Sequence, residues 1–254
     1  LGDVYKRQVA NITSIDGLTT SEVTMAGATV SITDTGASKA QVDTVNGFTT
    51  GTVTPTSVSE DKADLATLNG TTGISLATTN ITVTDQVNKS EADTINAYTT
   101  GQVVLNSASM TVSELATVEA LNDTEMKFAD NGAISVSDAA TLANANTING
   151  YTTGQVTLTS VSDTVSNITS IDGLTTTEVT MAGATVSVSD AATLANANAI
   201  NGFTTGAVTL TSVSDTVSNL ATLAAINNAE VTIAGAAISV SDAATLANAN
   251  TING

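Results

Sequence analysis

Along most of the chain the apolar residues follow two alternating rhythms. In the first they recur every three positions, as in Val112, Leu115, Val118 and Leu121, in Val165, Ile168, Ile171 and Leu174, in Leu194, Ala197, Ile200 and Phe203, and in Val217, Leu220, Leu223 and Ile226. That spacing lines one face of a short helix or a 3₁₀-like turn and does not suit a strand. The rhythm then changes to two, as in Val208 and Leu210, Val231 and Ile233, and Ile238 and Val240. Alternating β-branched residues bounded by Gly and Asn predict short strands. Ser-Asp ahead of AATLANA predicts a helix N-cap, because a side-chain oxygen there can accept a free N–H of the first turn. Asn149-Gly150, Asn201-Gly202 and the Thr-Thr-Gly runs mark the turns back into strand.

The alternation belongs to a repeat. AISVSDAATLANANTING stands at 133–150 and again, unchanged, at 237–254, a shift of 104. Residues 152–167 and 204–219 differ at one position over a shift of 52, and 9–31 returns at 165–187 with two changes over a shift of 156. All three shifts are multiples of 52. Phe48, Tyr98, Tyr151 and Phe203 keep the same period, each ahead of Thr-Thr-Gly. Asp34, Asp85, Asp138, Asp190 and Asp242 close one kind of strand, and Glu60, Asp163 and Asp215 close the other, with Met110 at the matching place. These marks divide each period into two related coils of about 26 residues.

A strand, a cap, a short helix and a turn in every coil predict an α/β solenoid of about ten stacked coils, each burying its apolar face against its neighbours. An all-β solenoid, with the Ala-rich stretch extended, is the alternative; Ala-Ala-Thr-Leu-Ala favours the helix. Residues 9–254 are expected to be one such array, stopping in mid-repeat at the C-terminal end. Residues 1–8, LGDVYKRQ, fall out of register and hold the only Arg. They resemble translated sequencing-adapter read-through and are set aside as a non-native terminus.

Composition narrows the chemistry. The 254 residues include 24 Asp or Glu against six Lys or Arg, a formal net charge of −18, with no His, Cys or Trp. Setting residues 1–8 aside leaves 23 acids and four Lys, a net charge of −19. The basic footprint of a nucleic-acid binder is missing. Thiolate or imidazole metal sites, disulfides and His-dependent triads are excluded by the missing residue types. No apolar run approaches the ~18–20 residues of a membrane helix, so membrane insertion is not expected.

Ca²⁺ takes oxygen ligands, so the corner residues Asp138, Asp163, Asp190, Asp215 and Asp242 are candidate calcium ligands; helix capping is the competing reading and the favoured one. Met110 at an equivalent corner cannot ligate calcium, and the glycine-rich RTX nonapeptide is absent. The paired Asn residues of ANAN (144 and 146, 196 and 198, 248 and 250) are read as solvent-facing, and Thr157, Thr159, Thr209 and Thr211 as ordinary strand residues. Two carboxylates suffice for a glycosidase, but a catalytic centre breaks a repeat, and nothing here does so clearly. The most divergent stretch, 122–132 with Lys127 and Phe128, is expected to be a looser turn. Lys39 and Lys89 stand near the places of Leu142 and Leu194, so their helices are expected to start differently.

Through SVSDAATLANANTING and SVSDTVSNLATL the chain resembles the Ala/Thr/Asp-rich tandem repeats of giant bacterial surface or secreted adhesin-like proteins. Such repeats are common in cyanobacteria and other marine bacteria and often accompany RTX-type calcium repeats. The resemblance covers 9–254. It implies an extracellular or cell-surface location, with the secretion signal outside these residues, and a structural spacer role without enzymatic activity that supports adhesion. No cofactor is expected beyond Ca²⁺ held weakly by the acidic surface. The partners are expected to be neighbouring repeats of the full-length chain and cell-surface or matrix components. A calcium-dependent adhesion or ligand-binding module is the alternative function, and a solenoid-type carbohydrate-active enzyme a more distant one.

Overall fold

A computed structural model describes residues 5–18, 24–121, 124–174, 178–226, 230–233 and 235–253. The chain divides into two units, one of Leu1–Ser109 with Glu114–Gly132, the other of Met110–Ser113 with Ala133–Gly254. The first holds β1 (Tyr5–Arg7), α1 (Val9–Asp16), β2 (Val30–Ile32), α2 (Lys39–Asn46), β3 (Val53–Pro55), β4 (Ser57–Glu60), α3 (Lys62–Gly70), β5 (Asn80–Val87), α4 (Lys89–Asn96) and most of β6 (Val103–Met110). Residues of α5 (Val112–Glu119) and β7 (Met126–Ala140) belong to both units. The second unit continues with α6 (Leu142–Asn149), β8 (Val156–Asp163), α7 (Val165–Asp172), β9 (Val179–Thr180), β10 (Thr185–Ala192), α8 (Leu194–Phe203), β11 (Val208–Asp215), α9 (Val217–Ile226), β12 (Val231–Thr232), β13 (Ala237–Val240) and α10 (Leu246–Asn253). The architecture is α/β: parallel strands with helices between them. The all-β alternative is overturned, because the Leu-Ala-Asn-Ala segments at 142–145, 194–197 and 246–249 are helical.

In the first unit β1, β2 and β3 pair in parallel, as do β4, β5 and β6. In the second, β7, β8, β10 and β11 pair in parallel, with β9 on β8 and β12 and β13 on β11. A helix between two parallel strands is the connection such pairing requires. Each strand with its following helix makes one βα step. The helices start at residues 9, 39, 62, 89, 112, 142, 165, 194, 217 and 246, so steps of 23 residues alternate with steps of 27 to 30. The two related halves of each 52-residue period are therefore a short and a long step. In unit two the long step holds an extra turn: β9 pairs with Val156 and Thr157, the chain turns through 181–184, and β10 then pairs with Ser160–Asp163.

This insertion staggers the ladder. Val186 pairs with Val161 on one side and Val208 on the other, and Val208 is the repeat-equivalent of Val156. The ladder thus moves five residues sideways in each 52-residue repeat. In the first unit Ile81 likewise joins Val58 to Val103.

The interior follows both rhythms. Inward strand residues such as Val156, Leu158 and Val161 are buried, as are two residues in each of α2–α9, three apart. The ends of the threefold series, such as Val217 and Ile226, are only half-buried, because eight to ten helical residues present two full turns to the strands. Phe48, Tyr98, Tyr151 and Phe203 are also half-buried. Of the stretch 122–132, residues 124 and 125 are a turn, as expected, but residues 126–132 are strand, with Met126 and Phe128 in the core. Residues 122 and 123 lie outside the described residues.

Candidate functional site

Short helices leave their first amides without intrahelical partners, and capping groups must supply acceptors. Thr141, Thr164 and Thr193 are the N-caps of α6, α7 and α8, each accepting from the amide three residues on. Asn144 and Asn196 complete capping boxes by accepting the N-cap amide. This corrects two expectations: Ser-Asp is not the cap of the helix that follows it, and Asn144 and Asn196 have a structural task, while Asn146 and Asn198 are exposed.

The corner acids reach the helix of the preceding βα step. In the second unit the first helical N–H donates to an acid 21 to 26 residues downstream: Val112 to Asp138 at 2.8 Å, Leu142 to Asp163 at 2.9 Å, Val165 to Asp190 at 2.8 Å, Leu194 to Asp215 at 2.9 Å and Val217 to Asp242 at 2.9 Å. The first unit repeats the arrangement with Val9 and Asp34, Lys39 and Glu60, and Lys62 and Asp85. A carboxylate at a helix N-terminus also meets the positive end of the helix dipole. The break is at α4: among the described residues no acid accepts the Lys89 amide, and the corner position that matches it in the repeat is Met110, a buried residue without a carboxylate.

Asp163 and Asp215 each gather three donors. Asp163 also accepts from the Thr164 N–H and the Asn167 amide, both at 2.8 Å. Burial opposes ionisation of Asp163, but Leu142, Asn167 and Thr164 together outweigh it and hold the carboxyl below its usual range. For Asp215 the Leu194 N–H is the largest influence, followed by the Asn219 amide; partial burial opposes them, and the Thr216 N–H adds to the lowering. All five candidate calcium ligands, Asp138, Asp163, Asp190, Asp215 and Asp242, are thus engaged by backbone amides. Among the described residues no three acidic side chains come together as a metal cage.

Two further features escaped sequence reasoning. In Thr-Thr-Gly, the first Thr hydroxyl donates to a carbonyl of the preceding step (Thr49 to Ala28 at 2.6 Å, Thr99 to Thr79 at 2.6 Å, Thr204 to Ala184 at 2.6 Å) and accepts the Gly amide two residues on. A Cβ at Gly51, Gly101 or Gly206 would collide with the backbone carbonyl of Ala28, Thr79 or Ala184. The signal was the invariant Thr-Thr-Gly in this chain's own repeats, taken only as a turn. Second, Lys39 and Lys89 open their helices at the same place as Leu142 and Leu194, against expectation, because each ammonium reaches an Asp four residues on at 2.6 Å. Lys62 bridges to Glu91 at 2.9 Å beside a 350 Å³ cavity floored by Ile95 and Tyr98.

Thr159 and Thr211 are more than strand formers. Their hydroxyls donate to Val136 and Val188 carbonyls at 2.7 Å, where the strand pairing shifts register. No helix among the described residues is long and apolar enough to cross a membrane. Against protein-family models, curated proteins and solved structures, the chain gives no significant match.

Proposed function

We propose that residues 9–254 are a non-enzymatic structural spacer from a large extracellular or cell-surface protein, folded as an α/β solenoid in which each βα step is one coil. The observation that carries this reading is the use made of the acidic corners. Eight of nine corner positions hold an acid that accepts the first amide of the preceding helix, so the side chains best suited to bind something instead join neighbouring coils. Repetition supports the same reading: the interior is built from aliphatic residues that recur from step to step, and catalysis would need one step unlike the rest. A cysteine-free, strongly acidic surface suits a salt-rich exterior, where ions screen its self-repulsion. Adhesion is then the task of other parts of the full-length protein, which this array holds at a distance.

Thermal unfolding with and without millimolar Ca²⁺ tests the proposal. A spacer whose carboxylates are already engaged keeps its Tm within about 1 °C. A calcium-dependent rise of several degrees, saturating at a fixed stoichiometry, refutes the spacer reading in favour of a calcium-dependent module.

A further inference from the structure

Three departures from the repeat meet at one place in the first unit. Helix α3 opens with Lys62, where α1, α5, α7 and α9 open with Val9, Val112, Val165 and Val217. The second and third residues of α4 are Ser90 and Glu91. In α2, α6, α8 and α10 they are Ala40, Ala143, Ala195 and Ala247, followed by Gln41, Asn144, Asn196 and Asn248. An ammonium, a hydroxyl and a carboxylate thus replace a valine, an alanine and an amide. All three line the 350 Å³ cavity beside α3 and α4.

Ile95 and Tyr98 floor this cavity, and Thr94 adds a second hydroxyl. Lys62 Nζ donates to Glu91 Oε1 at 2.9 Å and to the Gln86 carbonyl at 3.1 Å, while Asp85 lies beyond hydrogen-bond reach at 3.9 Å. One N–H of the ammonium is therefore left over. Glu91 Oε2 accepts the Asn88 N–H at 2.9 Å, and each carboxylate oxygen can still accept another donor. Among the described residues this is the only ion pair that joins two helices. The Glu91 hydrogen bond raises the Lys62 ammonium above its ordinary value, and Lys62, then the Asn88 N–H, holds Glu91 below its own, with partial burial opposing both. Both groups stay charged around neutral pH, so the cavity offers recognition rather than acid–base chemistry.

We propose that this cavity is a binding site for one uncharged sugar ring. Its volume is at the low end of the range for small-ligand sites, about 300–1,000 Å³, which suits a single ring. The matched ion pair favours neither an anion nor a cation, and the acidic surface repels anions. A pyranose has a face of C–H groups, which packs on the apolar floor and the electron-rich face of Tyr98. Its rim of hydroxyls meets the spare Lys62 N–H, the Glu91 oxygens and the hydroxyls of Ser90 and Thr94, donors and acceptors together. The site adds to the spacer reading and does not rest on it, since one weak sugar contact does not make the array the adhesive part.

The test titrates the full chain with methyl β-glucopyranoside, methyl β-galactopyranoside and methyl N-acetyl-β-glucosaminide at millimolar concentrations, with methyl β-glucuronide as the anionic control. NMR signals of the Tyr98 ring, the Ile95 methyls and the Lys62 side chain are followed. The variants restore the repeat's own residues, Lys62→Val with Glu91→Asn, and so keep the fold; Tyr98→Phe keeps the ring and Tyr98→Leu removes it. The proposal expects saturable shifts with at least one neutral glycoside. Its Kd should rise about tenfold or more in the double variant, as loss of hydrogen bonds to charged groups entails, and more in Tyr98→Leu than in Tyr98→Phe. No saturable shift with any neutral glycoside overturns the proposal, and so does unchanged affinity in the double variant. Tighter binding of the glucuronide overturns the assignment to an uncharged ring. None of these results alters the calcium comparison on which the spacer reading depends.

Discussion

The backbone N–H of Leu142 donates to the carboxylate of Asp163 at 2.9 Å, across 21 residues of sequence and from one βα step to the next. Local capping could have served the same amide. By taking the acceptor from the following step, the chain makes the start of each helix depend on the correct placement of its neighbour. Helix capping and step-to-step registration become one interaction.

Removing that acceptor should therefore cost more than a surface substitution. Asp163→Ala is expected to destabilise by about 1–2 kcal/mol, the range for loss of a helix cap. Asp163→Asn should cost less, because an amide oxygen still accepts. Equilibrium denaturation of the three proteins measures the order, and a neutral Asp163→Ala would show that the bond contributes nothing.

The pH dependence has a definite sign. Asp163 and Asp215 have folded-state values below the ordinary 3.8 of aspartate, so the unfolded chain binds more protons in that interval. Their contribution is complete above about pH 5 and is lost as pH falls through 3.8 and on through the lower folded value. Melting curves from pH 6 to pH 2.5 should show Tm falling in that window, and less steeply in a protein carrying Asp163→Ala and Asp215→Ala.

The glycine of Thr-Thr-Gly should tolerate no side chain. Gly206→Ala forces a Cβ onto the Ala184 carbonyl and is expected to destabilise by about 1–3 kcal/mol, as overpacking does. Gly202→Ala, inside α8 with open space around the site, should be neutral or stabilising by up to about 1 kcal/mol. Chemical denaturation of the pair separates close approach from backbone freedom.

Within one threefold series the positions should not be equivalent. Ile168→Ala and Ile171→Ala, at 0% and 1% exposure, are expected to cost about 2–4 kcal/mol each. Leu174→Ala, beyond the helix and half-buried, should cost about 1 kcal/mol or less. Equal losses at all three would contradict the burial pattern.

The sequence made the period, the alternation of strand and helix, and all nine corner positions legible, because each depends on local spacing that repeats. The direction of the corner bonds was hidden. Asp190 stands three residues before the N-cap Thr193, near enough in sequence to be read as a cap of α8, yet it accepts from Val165. Which helix an acid caps depends on how strands pair, and strand register is not written in any one repeat. The five-residue stagger was unreadable for the same reason: it arises from the turn at 181–184, between two strand segments that looked alike. Phe128 was misjudged because divergence from the repeat was equated with looseness, although a buried ring fills space equally well in a variant step.

The corner acids act by accepting the first amide of the preceding helix, and NMR titration reads those bonds directly. Carboxyl carbons of Asp163 and Asp215 and the amides of Leu142 and Leu194 are followed together from pH 7 downward in the folded protein. Both carboxyls are expected to titrate below 3.8, with the Leu142 and Leu194 amides moving at the same midpoints as their acids. Carboxyls titrating at or above 3.8, with both amides unmoved, would contradict it.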